Sequence, residues 1–201
     1  MIAKDNALER LAQVRVQAKQ DFIPILSEDC ERVLTDMLGT LRPQSVLEIG
    51  TAIGYSSAWM CVHSDARIVT LDKDPERLAK ARTLWQELDI ADRIECFEGD
   101  AAELLPTLVQ GRSYDLVFLD GPKSKYNSQL DTVLPSLHKG SVVLCDDVDY
   151  FGYVPSGEYP PHKHRTIVMQ MRAFLDRIGS DPRMSVQHYP QGNGIAVITI
   201  R

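Results

Sequence analysis

No stretch of the sequence comes near the roughly 18 consecutive apolar residues that a membrane-spanning helix needs. The opening, Met1 to Gln20, mixes charges throughout and has no apolar block of the signal-peptide kind, so neither a membrane protein nor an exported precursor is expected. Cys-x-x-Cys pairs are also absent. The four cysteines, Cys30, Cys61, Cys96 and Cys145, are dispersed, and Cys96 and Cys145 fall in apolar strand-like runs where free thiols are common. A disulfide framework and a thiolate zinc site are thereby excluded as organising features, and a reducing, cytoplasmic setting is expected. Positive charge is scarce: 22 basic against 28 acidic residues leave a formal net charge of -6, which argues against non-specific nucleic-acid binding but leaves room for a local basic face. There is no internal repeat and no low-complexity tract.

What is present is an ordinary globular composition, 44% hydrophobic and 25% charged over 201 residues, enough for one domain with its own core. Short, nearly continuous apolar runs alternate with helical patterns. Ser45 to Gly50 reads as a buried strand, with a helix through His63. Arg67 to Asp72 is a second strand, and a helix opens at Pro75, a residue suited to a first helical turn. A third strand runs from Arg93 to Asp100, a fourth from Tyr114 to Asp120 and a fifth from Ser141 to Asp147, with helices between. Buried strands joined by helices predict a doubly wound α/β fold with a mostly parallel sheet. Two further strand candidates near the C-terminus, separated only by Pro190 to Asn193, predict a closing antiparallel hairpin and seven strands in all. We expect a single domain over 1–201. Its residues 1–40 form an amphipathic helical extension that either covers the sheet or packs on a partner chain.

Ligands of open α/β sheets bind beyond the carboxyl ends of the strands, and each strand here ends on an acid: Glu48, Asp72, Asp100, Asp120, then Asp146 and Asp147. Gly50 and Gly54 allow a tight strand-to-helix turn, but Ala52 interrupts the G-x-G-x-x-G pattern of dinucleotide-binding folds. Asp72 follows Gly50 by about 20 residues, the distance expected for a carboxylate on ribose hydroxyls. Its competing reading is a helix cap, a role for which Asp74 is better placed. Asp100 is either a neighbour of an adenine amino group or a cap. Bare carboxylates at Asp120, Asp146 and Asp147 would repel one another. A hard divalent cation such as Mg²⁺, Mn²⁺ or Ca²⁺ resolves that repulsion, as would one neutral acid and one cap. Lys123 and Lys125 lie near the same rim, and a desolvated lysine there could serve as a base. The long segment Asp149 to Arg165 carries Tyr150, Phe151, Tyr153 and Tyr159, which either stack on a flat substrate or pack the loop down, and ends in the basic run His162, Lys163, His164 and Arg165. Trp59 and Trp85 are expected in the core.

The motifs VLEIGTAIGYSS, LDKDPER, FEGDA, LDGPKSKY and CDD, spread over nearly the whole chain, resemble the class I, S-adenosylmethionine-dependent O-methyltransferases of the metal-dependent catechol and caffeoyl-CoA type. Within them the segment His162 to Ile178 is most similar to the bacterial tRNA 5-hydroxyuridine methyltransferases. The chain differs from the usual pattern in having Asp146-Asp147 in place of Asp-Asn and Gly192-Asn193-Gly194 in place of Gly-Asp-Gly.

The resemblance implies a Rossmann-like class I methyltransferase fold. It also implies a donor site lined by Glu48, Gly50, Tyr55, Ser56, Asp72, Asp100, Ala101 and Asp120, an ion held by Asp120, Asp146 and Asp147, and Lys123 beside the reacting hydroxyl. The implied acceptor is a tRNA anticodon base or a small phenol, and the implied assembly is a homodimer. Two rivals stand beside this reading. A nicotinamide-dependent oxidoreductase would want the missing glycine pattern, and a non-catalytic nucleotide-binding module would have no use for the acids of the last strands.

Overall fold

The computed structural model describes residues 3–201, in two compact units, 1–101 and 102–201. The first contains α1 (Lys4–Gln20), α2 (Glu28–Leu41), β1 (Ser45–Ile49), α3 (Tyr55–His63), β2 (Arg67–Asp72), α4 (Pro75–Glu87) and β3 (Ile94–Glu98). β2 lies between β1 and β3 and pairs parallel with both, from Ser45↔Arg67 to Ile49↔Leu71 and from Ile68↔Ile94 to Asp72↔Glu98. β1 and β2 are buried almost throughout, which is why they read as continuous apolar runs. β3, an edge strand, leaves Glu95 and Glu98 exposed. α4 starts as expected, with Asp74 accepting from the N–H groups of Glu76 and Arg77 and Pro75 in the first turn. Ser27 caps α2 in the same way, accepting from Cys30 N–H at 3.1 Å. The N-terminal extension is thus two helices, and both pack on α3.

The second unit holds most of α5 (Ala101–Leu108), then β4 (Tyr114–Leu119), α6 (Tyr126–Val133), β5 (Leu137–Cys145), α7 (Arg165–Ser180), β6 (Met184–Tyr189) and β7 (Ile195–Ile200). β4 and β5 are parallel, while β7 runs antiparallel to both β5 and β6, so the expected hairpin is present. α7 buries Val168, Met171, Phe174 and Ile178, a single stripe at helical spacing. Within the first unit the strand order is β3-β2-β1, and within the second it is β4-β5-β7-β6.

Both ends of the fifth strand differ from the sequence reading. β5 begins at Leu137, not Ser141, because a register irregularity between Tyr114 and Leu116 admits the polar His138-Lys139-Gly140 segment into the strand. It ends at Cys145, which leaves Asp146 and Asp147 in the following loop. α6 stops at Val133, where Leu134–Ser136 tightens into a 3-10 turn around Pro135. His162–His164 likewise forms a 3-10 turn, and α7 starts only at Arg165. No helix among the described residues is long and apolar enough to cross a membrane.

Candidate active site

In the first unit the turn after β1 is built by backbone and buried polar contacts. Gly50 and Thr51 donate their N–H groups to Leu71 O at 3.0 and 3.2 Å, and Gly54 N–H closes on Thr51 O at 2.8 Å. Asp72 ties this turn to the next one: Oδ2 accepts from Ala52 N–H at 2.8 Å and Oδ1 from Asp74 N–H at 3.0 Å. The carboxylate therefore shapes the rim, and its remaining lone pairs stay available to a ligand hydroxyl. Glu48 is fully buried on β1, and its Oε2 accepts from Ser57 Oγ and, at 2.6 Å, from Thr70 Oγ1. Thr70 gives its one proton to Glu48, so Thr51 is the donor in the 2.6 Å contact between the two threonine hydroxyls. Ser56 is buried at the start of α3, and Ala101 is half-buried beside the exposed Asp100.

A network that the sequence reading missed holds Tyr55. Its hydroxyl donates to Glu31 at 2.6 Å, and Arg15 pairs with the same carboxylate and lies 3.3 Å from the Tyr55 oxygen. Burial and then Glu31 push the Tyr55 phenol above its ordinary range. Tyr55, expected only as a donor-site residue, is therefore also where α1 and α2 grip α3. The three residues are too far apart in sequence for spacing to reveal this. Trp85 is buried as expected and donates to Gly54 O at 3.0 Å. Trp59 is only half-buried and donates to Thr35 Oγ1 at 3.0 Å.

In the second unit Asp120, Asp146 and Asp147 converge, with one ligand oxygen from each lying within 4.8 Å of the others. Lys123 Nζ lies 2.9 Å from Asp120 Oδ1 and 3.3 Å from Asp147 Oδ2. Burial, followed by the charges of Asp120 and Asp147, pushes the Asp146 carboxyl up to about 7. Asp120 is raised too, by burial, although Lys123 opposes that shift. At Lys123 burial and charge oppose each other. Burial does favour the neutral amine, but Tyr126 and the three carboxylates outweigh it and hold the ammonium well above its ordinary range.

Tyr126, the last residue of the LDGPKSKY motif, is fully buried at the start of α6. Its hydroxyl lies 2.7 Å from Leu119 O and 2.9 Å from Asp146 O, joining the ends of β4 and β5 where their ladder stops. Tyr126→Phe leaves Asp146 O without that donor in a site closed to water. We expect a loss of roughly 1–3 kcal/mol, seen by calorimetry as a Tm lower by about 2–4 °C per kcal/mol. An unchanged Tm would show that the hydroxyl does not hold the strand ends.

The loop beyond the cluster divides its aromatic residues. Tyr153 stacks on His164 with ring centroids 5.1 Å apart, and Tyr150 meets the same ring edge-on at 5.6 Å, so these two pack the loop down. Phe151 and Tyr159 are 67% and 72% exposed and remain available for contact. Arg165 lies over the Tyr159 ring, 4.5 Å from its centroid, while His162 and Lys163 face solvent.

The family model described as O-methyltransferase matches residues 2–200. This chain belongs to the O-methyltransferase family. Among curated members, catechol O-methyltransferase of Mycobacterium tuberculosis is 34% identical over 149 residues, which is 73% of this chain and 62% of that protein. Caffeoyl-CoA O-methyltransferase of Stellaria longipes is 28% identical over 172 residues, covering 82% of this chain and 71% of that protein. The chain thus spans less than two thirds of the first of these relatives. A crystal structure of the O-methyltransferase from Bacillus cereus in complex with SAH matches with a TM-score of 0.82 at 25% identity, covering 100% of this chain and 93% of that one. The family membership and this structural likeness bear out the class I methyltransferase fold expected from the motifs.

Proposed function

We propose that this chain is an S-adenosylmethionine-dependent O-methyltransferase acting on a flat ring that carries a hydroxyl next to a second oxygen, a catechol-like or other phenolic small molecule. The observation that carries the reading is the convergence of Asp120, Asp146 and Asp147 beside Lys123. Three carboxylates form an all-oxygen donor set, which fits Mg²⁺, or Mn²⁺ or Ca²⁺, and gives no preference for a softer metal. When bound, such an ion lowers the pKa of an acceptor hydroxyl. The donor contributes an already activated sulfonium methyl group. Glu48, Gly50, Tyr55, Ser56, Asp72, Asp100, Ala101 and Asp120 are the residues we assign to holding it.

The chain's own residues do the rest. Asp120, Asp146 and Asp147 would hold the ion at a fixed position, and with it bound an acceptor with two neighbouring oxygens would be favoured over a lone hydroxyl. Lys123, held as an ammonium by Asp120 and Asp147, is suited to stabilising an oxyanion rather than accepting its proton. Sharing those carboxylates with a cation weakens their hold on Nζ and brings Lys123 closer to acting as a base. Orienting both reactants removes much of the entropic cost of a bimolecular step, roughly 7–11 kcal/mol in favourable cases. The exposed Val16 and Phe22 side chains support a homodimer, which light scattering tests, and four free cysteines fit a cytoplasmic location.

A second reading, methylation of 5-hydroxyuridine at a tRNA anticodon, is favoured by the exposed Tyr159 with Arg165 over its ring and by the exposed Phe151, His162 and Lys163 of the same segment. A splayed base can stack on such rings, and its 5-hydroxyl and neighbouring carbonyl also form a vicinal oxygen pair. Purified protein with labelled S-adenosylmethionine is assayed on catechol and on tRNA bearing 5-hydroxyuridine, before and after chelation and with Mg²⁺ restored. We expect metal-dependent transfer to catechol. Product on tRNA alone would move the assignment to the second reading, and full activity after chelation would refute the metal role.

A further inference from the structure

We propose that the β6–β7 hairpin turn is a clamp for the acid cluster, with His188 and Gly194 as positioning residues that act through Asp149. The proposal rests on the reading above that Asp120, Asp146 and Asp147 hold a divalent cation. The segment to be positioned is unusual. Asp147, Tyr150 and Phe151 have φ of 57°, 41° and 55°, three residues with side chains in the left-handed region within five positions. Backbone of this kind persists only where surrounding structure over-determines it.

The hairpin provides that constraint. Val148 N–H donates to Gly194 O at 3.0 Å and Asp149 N–H to Asn193 O at 2.7 Å, so the two residues after Asp147 are fastened to the turn. Asp149 is 6% exposed, and its Oδ1 takes a hydrogen bond from His188 Nε2 at 2.9 Å. Inside the loop, Val154 N–H returns to Asp149 O at 3.1 Å. His188 is itself held in register opposite Ala196. Gly194 has φ of +78°, and a Cβ there would lie 2.3 Å from Asp149 Cγ, so the turn is shaped around this carboxylate.

Asp149 is not a fourth member of the cluster. Among the described residues the converging set is Asp120, Asp146 and Asp147, and the Asp149 carboxylate is committed to His188. Its place is behind the ligands, fixing the direction from which Asp147 arrives. This gives the Gly192-Asn193-Gly194 turn and the third acid after Asp146-Asp147 a shared role.

The test uses the full chain with His188→Ala, His188→Gln and Gly194→Ala. Three quantities are measured: Mn²⁺ affinity by electron paramagnetic resonance titration, SAH affinity by calorimetry, and amide hydrogen exchange across residues 147–154. For His188→Ala we expect the Mn²⁺ Kd to rise roughly tenfold, in the range found when groups behind metal ligands are removed. Amide protection should fall in 147–154, and SAH affinity should hold. His188→Gln, which can still donate to Asp149, should recover most of both losses, and Gly194→Ala, if it folds, should exceed His188→Ala. Unchanged exchange in 147–154 overturns the clamp. Faster exchange with unchanged Mn²⁺ affinity overturns the positioning role, as does a parallel loss of SAH affinity and of protection throughout the chain. Failure of the wild-type protein to bind Mn²⁺ would remove the metal reading, and the exchange data would still decide the clamp.

Discussion

Asp146→Asn is expected to lower kcat/KM for the acceptor by at least roughly 100-fold, about 2.7 kcal/mol of transition-state stabilisation, while SAH binds as before. It is also expected to raise the Tm of the metal-free protein. The two effects have one origin. Asp146 is 7% exposed and shares a space with Asp120 and Asp147 in which ligand oxygens of all three lie within 4.8 Å. Without a cation, the positive charge that pairs with the cluster among the described residues is Lys123, which already serves Asp120 and Asp147. A neutral amide of nearly the same shape relieves that crowding and keeps an oxygen for Asp147 N–H, which donates to Asp146 Oδ1 at 2.9 Å. Relief of about 1 kcal/mol, common when a strained functional site is neutralised, corresponds to a Tm higher by roughly 2–4 °C. On the proposed metal reading the same change removes one of three charged groups that would hold the ion, so activity should collapse. A variant with lowered Tm and weakened SAH binding would mean that Asp146 is chiefly structural.

The division between what the sequence showed and what it hid follows the range of the interactions. Strands β1, β2, β4 and β5 bury both faces, so each is a run of apolar residues legible by itself, and an acid directly after such a run is located by the fold rule alone. Asp72, Asp120 and Asp146 were found in this way. Asp74 as a helix cap was equally legible, because a cap acts on residues two and three positions away. Glu31, Arg15 and Tyr55 meet from three different helices, and no periodicity records that meeting. The grip of the hairpin on Asp149 joins residues 39 positions apart in the His188 contact. Signals were present only for the hairpin contact: a third acid soon after Asp146-Asp147, and a glycine-flanked turn. Lys123 shows a different limit. Its position was readable, but its protonation depends on the balance between burial and the carboxylates around Nζ, and only coordinates show which prevails.

Gly54→Ala is expected to destabilise the protein by about 2–5 kcal/mol, combining the cost of a left-handed backbone for a residue with a side chain with that of overpacking a closed site. Gly54 has φ of +77°, and a Cβ there would stand 2.7 Å from Ala81 Cβ and from Trp85 Nε1. Neither neighbour can withdraw cheaply, since Ala81 has no rotamer to change and Trp85 is buried with its indole N–H on Gly54 O. Gly54 also sets the entry to α3, accepting from Ala58 N–H at 3.0 Å, and Tyr55 and Ser56 follow it directly. The Tm should therefore fall by roughly 5–15 °C, and SAH affinity should fall with it because the turn that carries both residues is displaced. Gly39 supplies the control. It lies inside α2 with nothing within 4 Å of an added Cβ, so Gly39→Ala should stabilise by about 0.5–1 kcal/mol. Calorimetry of the two variants thus predicts shifts of opposite sign. Equal shifts, or a Gly54→Ala protein that melts and binds SAH like wild type, would show that the turn tolerates a side chain and that its glycine is not what shapes the donor site.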